Sequence, residues 1–303
     1  PGHRAQHLLR NGAGDGRQER RRVLQDLKRF PVAVKILPTY EDVASGHVSL
    51  NSLRAVAAGD LLGRDAATPN IELMDRYTTG KSILITGAGG SIGSELVRQI
   101  ALRSPRRLVL LDISEAALYN IEFDTRQLLK GELQPPELKV VLGSGTDARL
   151  LDQVIVENGI ETIYHAAAYK HVPMVEMNPF SGLENNTFGT VTAAQCARKH
   201  GVERFVLVST DKAVRPTNVM GASKRLAELV LQAEATDTDS TTVFTMVRFG
   251  NVLESSGSVV PLFRQQIRAG GPITVTHPNV TRFFMSIPEA AGLVIQAGAM
   301  AKG

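Results

Sequence analysis

A glycine-rich turn between an apolar run and an amphipathic pattern constrains the fold of this 303-residue chain more than any other feature. Ser82 to Thr86 reads SILIT, and the apolar residues after Ser94 recur at helical spacing. Gly87, Gly90 and Gly93 lie between the two segments. Glycines in such a turn allow positive φ angles and let the backbone approach a pyrophosphate, which the N-terminus of the following helix attracts. The pattern therefore predicts a strand, a turn and a helix that bind a phosphate group.

A second apolar run follows the predicted helix and ends in an acid. It covers Arg107 to Leu111, and Asp112 comes 19 residues after Gly93. An acidic side chain at this place accepts hydrogen bonds from an adenosine ribose and repels a 2′-phosphate. Glycine turns and aspartate helix caps are common singly, but their combination in this order predicts a dinucleotide site. The acid favours NAD over NADP.

Composition and charge argue against several other classes of protein. The charged fraction of 21% and the hydrophobic fraction of 43% are ordinary for a globular protein. The first 30 residues carry eight Lys and Arg against three acids, so the rest has a net charge of about −1 and we expect no nucleic-acid partner. We find no signal peptide and no stretch near the roughly 18 apolar residues of a membrane helix. The single cysteine, Cys196, excludes an internal disulfide.

From Lys81 onward, strand patterns alternate with helical patterns. Strands are predicted at 82–86, 107–111, 139–142, 162–164, 204–208 and 243–248, and helices at about 91–103, 114–130, 147–158, 179–200 and 217–235. Such alternation predicts an α/β fold with a Rossmann-like, doubly wound parallel sheet and ligands at the carboxyl ends of its strands. Glycine- and proline-rich pieces beyond Gly250 predict a small substrate-binding region.

The segment before Lys81 does not continue this alternation. It is predicted to hold a helix at 22–30, an isolated strand at 32–37, and short helices and loops at 40–77. We therefore assign residues 1–80 to an N-terminal helical adaptor and residues 81–303 to an NAD-binding catalytic domain. The chain opens on Pro1 and stops directly after an apolar helical pattern, so we expect it to be part of a longer protein.

Two segments in the second half carry residues suited to acid–base chemistry. Residues 209–213 read STDKA, and residues 220–224 read MGASK, which puts Met220 and Lys224 on one helical face. With TGAGGSIG at 86–93, HAAAYKHVP at 165–173 and RFGNVLESSGSVVPLF at 248–263, they resemble the extended short-chain dehydrogenase/reductase family. Within it, they are similar to the large, membrane-anchored UDP-N-acetylglucosamine 4,6-dehydratases of bacterial polysaccharide and glycan biosynthesis. The resemblance covers roughly residues 60–301.

Methionine at position 220 leaves two interpretations open. Most members of that superfamily use a tyrosine four residues before the lysine, whereas a thioether has no proton to exchange. Either the chain is a non-catalytic NAD-binding regulatory module, or the proton passes through other groups. The resemblance favours the second interpretation, because the large dehydratases are similar to this chain in having methionine there.

The resemblance implies a redox-neutral reaction in which NAD stays bound and the sugar loses water. C4 is oxidised, Lys212 removes the C5 proton, Asp211 protonates the departing C6 hydroxyl, and the hydride returns to C6. Thr210 contacts the C4 hydroxyl, and Lys224 holds the nicotinamide ribose. Lys212 must then be neutral and Asp211 protonated. Adjacent charges would favour the opposite forms, so we expect a strand end to point the two side chains to different sides.

The same resemblance implies the remaining contacts. Residues implied for the cofactor are Gly87, Gly90, Ser91, Ile92, Gly93, Asp112, Ser144, Ala166, Ala167, Lys170 and Lys224. Residues implied for a UDP-sugar are Lys170, Asn251, Thr274 and Arg282. Ser144 departs from the family pattern, which has aspartate at this place. No metal is expected, His165 is interpreted as a buried, hydrogen-bonded residue, and His171 is unassigned.

The expected function is that of a lyase (hydro-lyase) that converts UDP-N-acetylglucosamine to UDP-2-acetamido-2,6-dideoxy-4-hexulose. A nucleotide-sugar 4-epimerase is the alternative, since it also uses NAD but needs neither Asp211 nor Lys212. The resemblance implies a membrane-anchored region outside this chain, which would put the domain on the cytoplasmic face of the bacterial inner membrane. The fragment itself is expected to be soluble. The sequence leaves open whether it forms a homo-oligomer.

Overall fold

The computed structural model divides the chain into two compact units, Pro1–Ala67 and Thr68–Gly303. It describes residues 6–9, 26, 33–36, 54–55, 64, 67–236, 240–255, 257–275 and 277–302. The larger unit starts before residue 81, where the sequence pattern alone put the boundary. The backbone N–H of Asn70 donates to Gln296 at 3.0 Å, and the guanidinium of Arg204 lies 3.9 Å from the ring centre of Tyr77. These contacts attach residues 70–77 to the larger unit.

Three short strands form a sheet in the smaller unit. β1 (Gln6–Leu9) pairs in parallel with β2 (Ala33–Ile36), which pairs antiparallel with β3 (Arg54–Ala55). The strand predicted at 32–37 is therefore present but not isolated, because its partners are too short for an apolar pattern to reveal them. Of the helix predicted at 22–30, only Asp26 is described, and it is helical. The rest of that helix, and most of 40–66, lies outside the described residues.

A six-stranded parallel sheet forms the centre of the larger unit. Its strands are β4 (Ser82–Thr86), β5 (Arg107–Asp112), β6 (Glu137–Leu142), β7 (Thr162–His165), β8 (Arg204–Val208) and β9 (Val243–Val247), in the order β6-β5-β4-β7-β8-β9. Each predicted strand is present within two residues at either end. The strand order reverses between β4 and β7, and in doubly wound sheets ligands bind at the carboxyl side of such a point. The predicted fold class is confirmed.

Helices lie between the strands and after them. They are α1 (Ile71–Asp75), α2 (Ser91–Ala101), α3 (Glu115–Leu128), α4 (Ala148–Asn158), α5 (Val172–Met177), α6 (Pro179–Leu183), α7 (Gly189–Lys199), α8 (Val219–Ala235), α9 (Val259–Arg268) and α10 (Ile287–Met300). The helix predicted at 179–200 is divided into α6, a π-helical segment at Glu184–Phe188, and α7. Two short parallel strands, β10 (Asn251–Val252) and β11 (Phe284–Met285), pair near the C-terminus.

Two apolar clusters hold the helices onto the sheet, one for each face. Alternate residues of β4 enter different clusters, with Ile83 and Ile85 in the first and Leu84 in the second. The first cluster also contains residues of α2 and of α10, namely Leu96, Val97, Ile100, Ala291, Val294 and Ile295. α10, near the end of the chain, therefore packs with α2, the helix that follows the glycine turn. Within the described residues, the model contains no helix with the length and apolar character of a membrane span.

Candidate active site

A cleft of about 810 Å³ opens where the carboxyl ends of the central strands meet the loops that follow them. The predicted site residues that line it are Gly90, Ser91, Ile92, Gly93, Ala166, Lys170, Thr210, Lys212, Met220, Lys224 and Asn251. They come from segments that are far apart in the sequence. The fold thus brings together most of the residues that were predicted separately as cofactor-binding, catalytic and substrate-binding.

The glycine turn is closely packed by backbone atoms. Gly87 has a φ of +65°, and a Cβ on it would lie 2.6 Å from the backbone nitrogen of Ala167. A Cβ on Gly93 would lie 1.9 Å from the carbonyl oxygen of Gly87. Gly90, the N-cap of α2, has no side chain, so the N-terminal end of α2 opens on the cleft without a capping group. Such an end attracts anions, and a side chain at Gly87 or Gly93 would displace the turn.

Asp112 and Ser144 lie behind this turn and outside the residues that line the cleft. The two carboxylate oxygens of Asp112 accept hydrogen bonds from the backbone N–H groups of Gly89, at 2.8 Å, and Ser114, at 2.9 Å. The hydroxyl of Ser144 bonds the hydroxyl of Thr146 at 2.8 Å. Asp112 therefore fixes the turn, and each of its oxygens retains capacity for a further donor.

Lys224 is a buried cation that faces the cleft. Only 4% of its surface is exposed, and its Nζ has no hydrogen-bond partner among the described residues. Burial lowers the pKa of Lys224 to about 8, and the charge of Glu228 one turn away acts in the opposite direction. A buried ammonium without a partner is costly, so this donor suits an oxygen-bearing ligand. Met220, one turn before it, is also buried in the cleft wall.

His165 is a buried, hydrogen-bonded residue, as the sequence indicated. Its Nδ1 bonds the hydroxyl of Thr86 at 2.8 Å, and its ring stacks on Phe205. Burial, together with the charge of Lys224, lowers the pKa of His165 to about 3. His165 is therefore neutral at physiological pH. His171, by contrast, lines the cleft, and a Cβ on Gly257 would lie 2.2 Å from its ring.

Asp211 and Lys212 do not point to different sides, contrary to the expectation from the sequence. Lys212 Nζ donates to Asp211 Oδ1 at 3.1 Å and to Asn251 Oδ1 at 3.3 Å. The expectation was wrong because residues Asp211–Ala213 form a 3₁₀ turn, in which the alternation of a strand does not apply. The hydroxyl of Thr210 donates to Asp211 Oδ1 at 3.1 Å and caps the turn. An acid, a base and a hydroxyl thus form one hydrogen-bonded cluster.

Thr274 and Arg282 do not reach the cleft in this structure. Both lie on the exposed connection between α9 and β11. Thr274 exchanges two hydrogen bonds with the side chain of Gln266, and Arg282 donates to the carbonyl of Thr281 at 2.8 Å. A match along the sequence does not determine how an exposed loop folds. The assignment of these two residues to the substrate stays a prediction.

Sequence reasoning missed two buried polar residues directly behind the cleft. Glu228 on α8 is fully buried and accepts hydrogen bonds from the side chains of Ser209 and Arg248. Asn186, in the π-helical segment, bonds the backbone of Tyr169 and the hydroxyl of Ser223. The available signal for Glu228 was its position four residues after Lys224, on the same face of the helix.

Comparisons of the sequence with known proteins agree with these features. A family model described as "Polysaccharide biosynthesis protein" matches residues 83–303. The capsular polysaccharide biosynthesis protein CapD of Staphylococcus aureus is 48% identical over 88% of this chain, which spans 44% of that protein. The UDP-glucose 4-epimerase of Rickettsia canadensis is 35% identical over 72% of this chain and 62% of its own length. The chain thus spans about half the length of curated relatives that it matches.

Two solved structures have the same fold. Pen from Bacillus thuringiensis has a TM-score of 0.68 at 34% identity, over 75% of this chain and 70% of its own. DesIV from Streptomyces venezuelae, described as a dTDP-glucose 4,6-dehydratase with NAD and TYD bound, has a TM-score of 0.61 at 26% identity, over 72% of each chain. Since the family model spans nearly the whole parallel sheet and α8, the chain belongs to the polysaccharide biosynthesis protein family of extended short-chain dehydrogenase/reductases.

Proposed function

We propose that this chain is the catalytic portion of an NAD-dependent nucleotide-sugar 4,6-dehydratase that acts on UDP-N-acetylglucosamine. The observation that carries the proposal is that one cleft holds both the glycine turn and Lys212, which is hydrogen-bonded to Asp211. An epimerase on this fold has no need of such a pair. The names of two similar proteins support the proposal, since CapD takes part in capsular polysaccharide biosynthesis and DesIV is a 4,6-dehydratase.

The residues present fit a bound dinucleotide. Gly87 and Gly93 permit the close backbone approach that a pyrophosphate needs at the N-terminus of α2. Asp112 stands at the end of β5 with acceptor capacity for an adenosine ribose. The unpartnered Nζ of Lys224 suits the hydroxyls of the other ribose. When bound, NAD would supply a hydride acceptor for the oxidation of C4 and a hydride donor for the reduction of C6.

The hydrogen bond between Lys212 and Asp211 supports a route by which both groups would reach their reactive forms. In the ion pair, the lysine is protonated and the aspartate is ionised, which is the reverse of what the reaction needs. Transfer of the shared proton from Lys212 Nζ to Asp211 Oδ1 gives a neutral amine beside a neutral carboxylic acid. The two side chains are 37% and 46% exposed, so water stabilises the ion pair. A sugar that covers them removes this water and favours the neutral pair, because ions lose more on desolvation.

Each group then moves a proton at a defined atom. The hydroxyl of Thr210 contacts the C4 hydroxyl of the sugar. The neutral Nζ of Lys212 takes the C5 proton, and the carboxyl of Asp211 gives its proton to the C6 hydroxyl, which leaves as water. At this point Lys212 has gained one proton and Asp211 has lost one. Lys212 then returns a proton to C5 when C6 is reduced. Uptake of one proton from solvent, equal to the proton that the C4 hydroxyl released to solvent on oxidation, restores the ion pair. Met220 takes no part in proton transfer, since its thioether has no exchangeable proton.

Cofactor affinity is expected to fall as the pH rises through the pKa of Lys224. Burial lowers this pKa to about 8, so the side chain is charged below that pH and loses its charge above it. A charged donor binds a ribose oxygen more strongly than a neutral one. The dissociation constant for NAD should therefore be constant below about pH 7 and rise by roughly tenfold per pH unit above pH 8. Isothermal titration calorimetry over this range measures it.

Lys224→Met is the matched control for this pH dependence. It should bind NAD more weakly at low pH and show a flat profile, because the titrating group is gone. Lys224 interacts electrostatically with Glu228 on its own helix and with His165 from β7, and His165 stays neutral over this range. If the variant keeps the wild-type profile, the titration belongs to another group and the assignment of Lys224 to the cofactor is wrong.

The reaction itself is tested by incubating the purified chain with NAD and UDP-N-acetylglucosamine in deuterated water. Mass spectrometry and proton NMR of the sugar nucleotide should show loss of water and deuterium at C5. A C4 epimer without loss of water would identify a 4-epimerase, the alternative that the name of the Rickettsia relative favours. An unchanged substrate beside bound NAD would favour the non-catalytic module. Parallel incubations with UDP-glucose and dTDP-glucose test the choice of sugar nucleotide.

A further inference from the structure

Glu228 binds groups from two other segments of the chain. Its side chain is fully buried. The hydroxyl of Ser209 donates to Oε1 at 2.7 Å, and Arg248 donates to Oε1 from Nε at 2.7 Å and to Oε2 from its terminal nitrogen at 2.5 Å. Arg225, on the same helix as Glu228, donates to Oε2 at 3.0 Å. Both carboxylate oxygens are thus fully used.

The partners of Glu228 are adjacent in the sequence to residues of the candidate active site. Ser209 directly precedes Thr210 and the Asp211–Ala213 turn. Arg248 lies three residues before Asn251, which bonds Lys212. Glu228 itself lies one helical turn after Lys224. One carboxylate therefore joins the three segments that carry the cofactor lysine, the acid–base pair and the residue that contacts the base.

Neutralising the charge of an arginine is not the only effect of the Glu228 carboxylate. Burial would raise the pKa of Glu228, but the hydrogen bonds from Arg248, Ser209 and Arg225 keep it below its ordinary value, so the group is ionised. The two arginine side chains are 38% and 35% exposed, so water already stabilises their charges. The bond from Ser209 neutralises no charge at all. Its effect is to hold the end of β8 against α8.

We propose that Glu228 is a positioning residue that sets the distance between Lys224 and the Thr210–Lys212 segment. It would thereby set the distance between the bound cofactor and the acid–base pair, an inference that rests on the proposed function. Misplacement of reacting groups by about 1 Å can cost roughly 10²-fold in rate. The charge of Glu228 also opposes the lowering of the pKa of Lys224 by burial, while His165, which also interacts with Lys224, is neutral.

Glu228→Gln and Ser209→Ala test the proposal by kinetics. Glu228→Gln should lower kcat by about 10²-fold and leave KM for the sugar nucleotide within roughly threefold. Ser209→Ala keeps the ion pairs and removes only the bond to the segment that carries the acid–base pair, so it should lower kcat by about tenfold while the chain stays folded. If Glu228→Gln does not fold, the kcat of Ser209→Ala alone tests the proposal. The matched control is Glu234→Gln on the same helix, where Glu234 pairs with Arg198 at 3.2 Å and kcat should not change.

A second readout does not depend on turnover. In the chain labelled with ¹³C at the lysine ε-carbons, the pH titration of Lys224 can be followed by NMR. Glu228→Gln should shift this titration to lower pH, whereas Ser209→Ala and Glu234→Gln should leave it unchanged. If the wild-type chain is inactive, the proposed function fails, yet an unshifted titration in Glu228→Gln would still overturn the role of Glu228. If Ser209→Ala and folded Glu228→Gln both retain the wild-type kcat, Glu228 is merely structural.

Discussion

Asp211→Asn is expected to lower the rate of water loss by about 10³-fold at neutral pH while NAD stays bound. Asparagine can neither hold the proton that the C6 hydroxyl needs nor take the shared proton from Lys212. Asparagine has nearly the same shape as aspartate, so this single substitution blocks both proton transfers without changing the packing. Mass spectrometry of the sugar nucleotide measures the loss, and calorimetry with NAD shows that the cofactor site is intact.

Raising the pH of the Asp211→Asn variant should separate removal of the C5 proton from protonation of the C6 hydroxyl. At alkaline pH, hydroxide ion can take the place of the missing Asp211 carboxylate as a proton acceptor. Deuterium should then enter C5 of the recovered sugar nucleotide, while water loss remains slow because no acid is present. Lys212→Met should show neither reaction at any pH.

The matched control for the Asp211 variant is Asp152→Asn. Asp152 on α4 also bonds a lysine, Lys199, at 2.7 Å, but Lys199 does not line the cleft, whereas Lys212, the partner of Asp211, does. Its replacement should leave turnover unchanged. A wild-type rate of water loss in Asp211→Asn would refute the assignment of Asp211 as the acid.

Gly93→Ala is expected to abolish NAD binding and to destabilise the fold by roughly 3 kcal/mol. The new Cβ would lie 1.9 Å from the carbonyl oxygen of Gly87 and 2.7 Å from its carbonyl carbon. Both neighbours are backbone atoms of the turn, so the turn has to move away from α2. Urea unfolding measures the stability, and calorimetry measures the cofactor affinity.

Gly292→Ala provides a glycine in the same unit that should tolerate alanine. A Cβ there would meet only the end of the Gln99 side chain, at 3.3 Å, and that side chain can move. Because alanine favours a helix interior over glycine, the stability should change by less than about 1 kcal/mol and NAD binding should persist. Equal losses in the two variants would mean that the close packing of the turn has no special role.

The parallel sheet was predictable because its strands carry strong local signals. Ser82–Thr86 and Arg204–Val208 are short apolar runs bounded by polar or glycine residues, and their observed limits match the prediction. The glycine turn was predictable for a similar reason, since Gly87 and Gly93 stand at positions where a side chain has no room. The small sheet of β1, β2 and β3 was not, because each of its strands depends on partners that are distant in the sequence.

The candidate site was predictable in its residue types but not in its geometry. Asp211 and Lys212 were expected on a strand end, and no local pattern distinguishes that from the observed 3₁₀ turn. Glu228 was missed because a helical glutamate is usually exposed, and only the fold shows that Ser209 and Arg248 reach it. Thr274 and Arg282 lie on an exposed connection whose path depends on tertiary contacts.

The packing of α10 against α2 has a consequence for synthesis on the ribosome. Ala291, Val294 and Ile295 complete the apolar cluster that Ile83 and Leu96 begin, and Gln99 of α2 bonds the carbonyl of Pro288 at 2.9 Å. At roughly 5–20 residues per second, the α10 residues emerge about 10–40 s after α2. The part of this apolar cluster that α10 covers therefore stays exposed until the helix has been made, while residues of α2 and α3 already cover the rest. During that interval, the half-made domain presents the kind of apolar surface that chaperones bind.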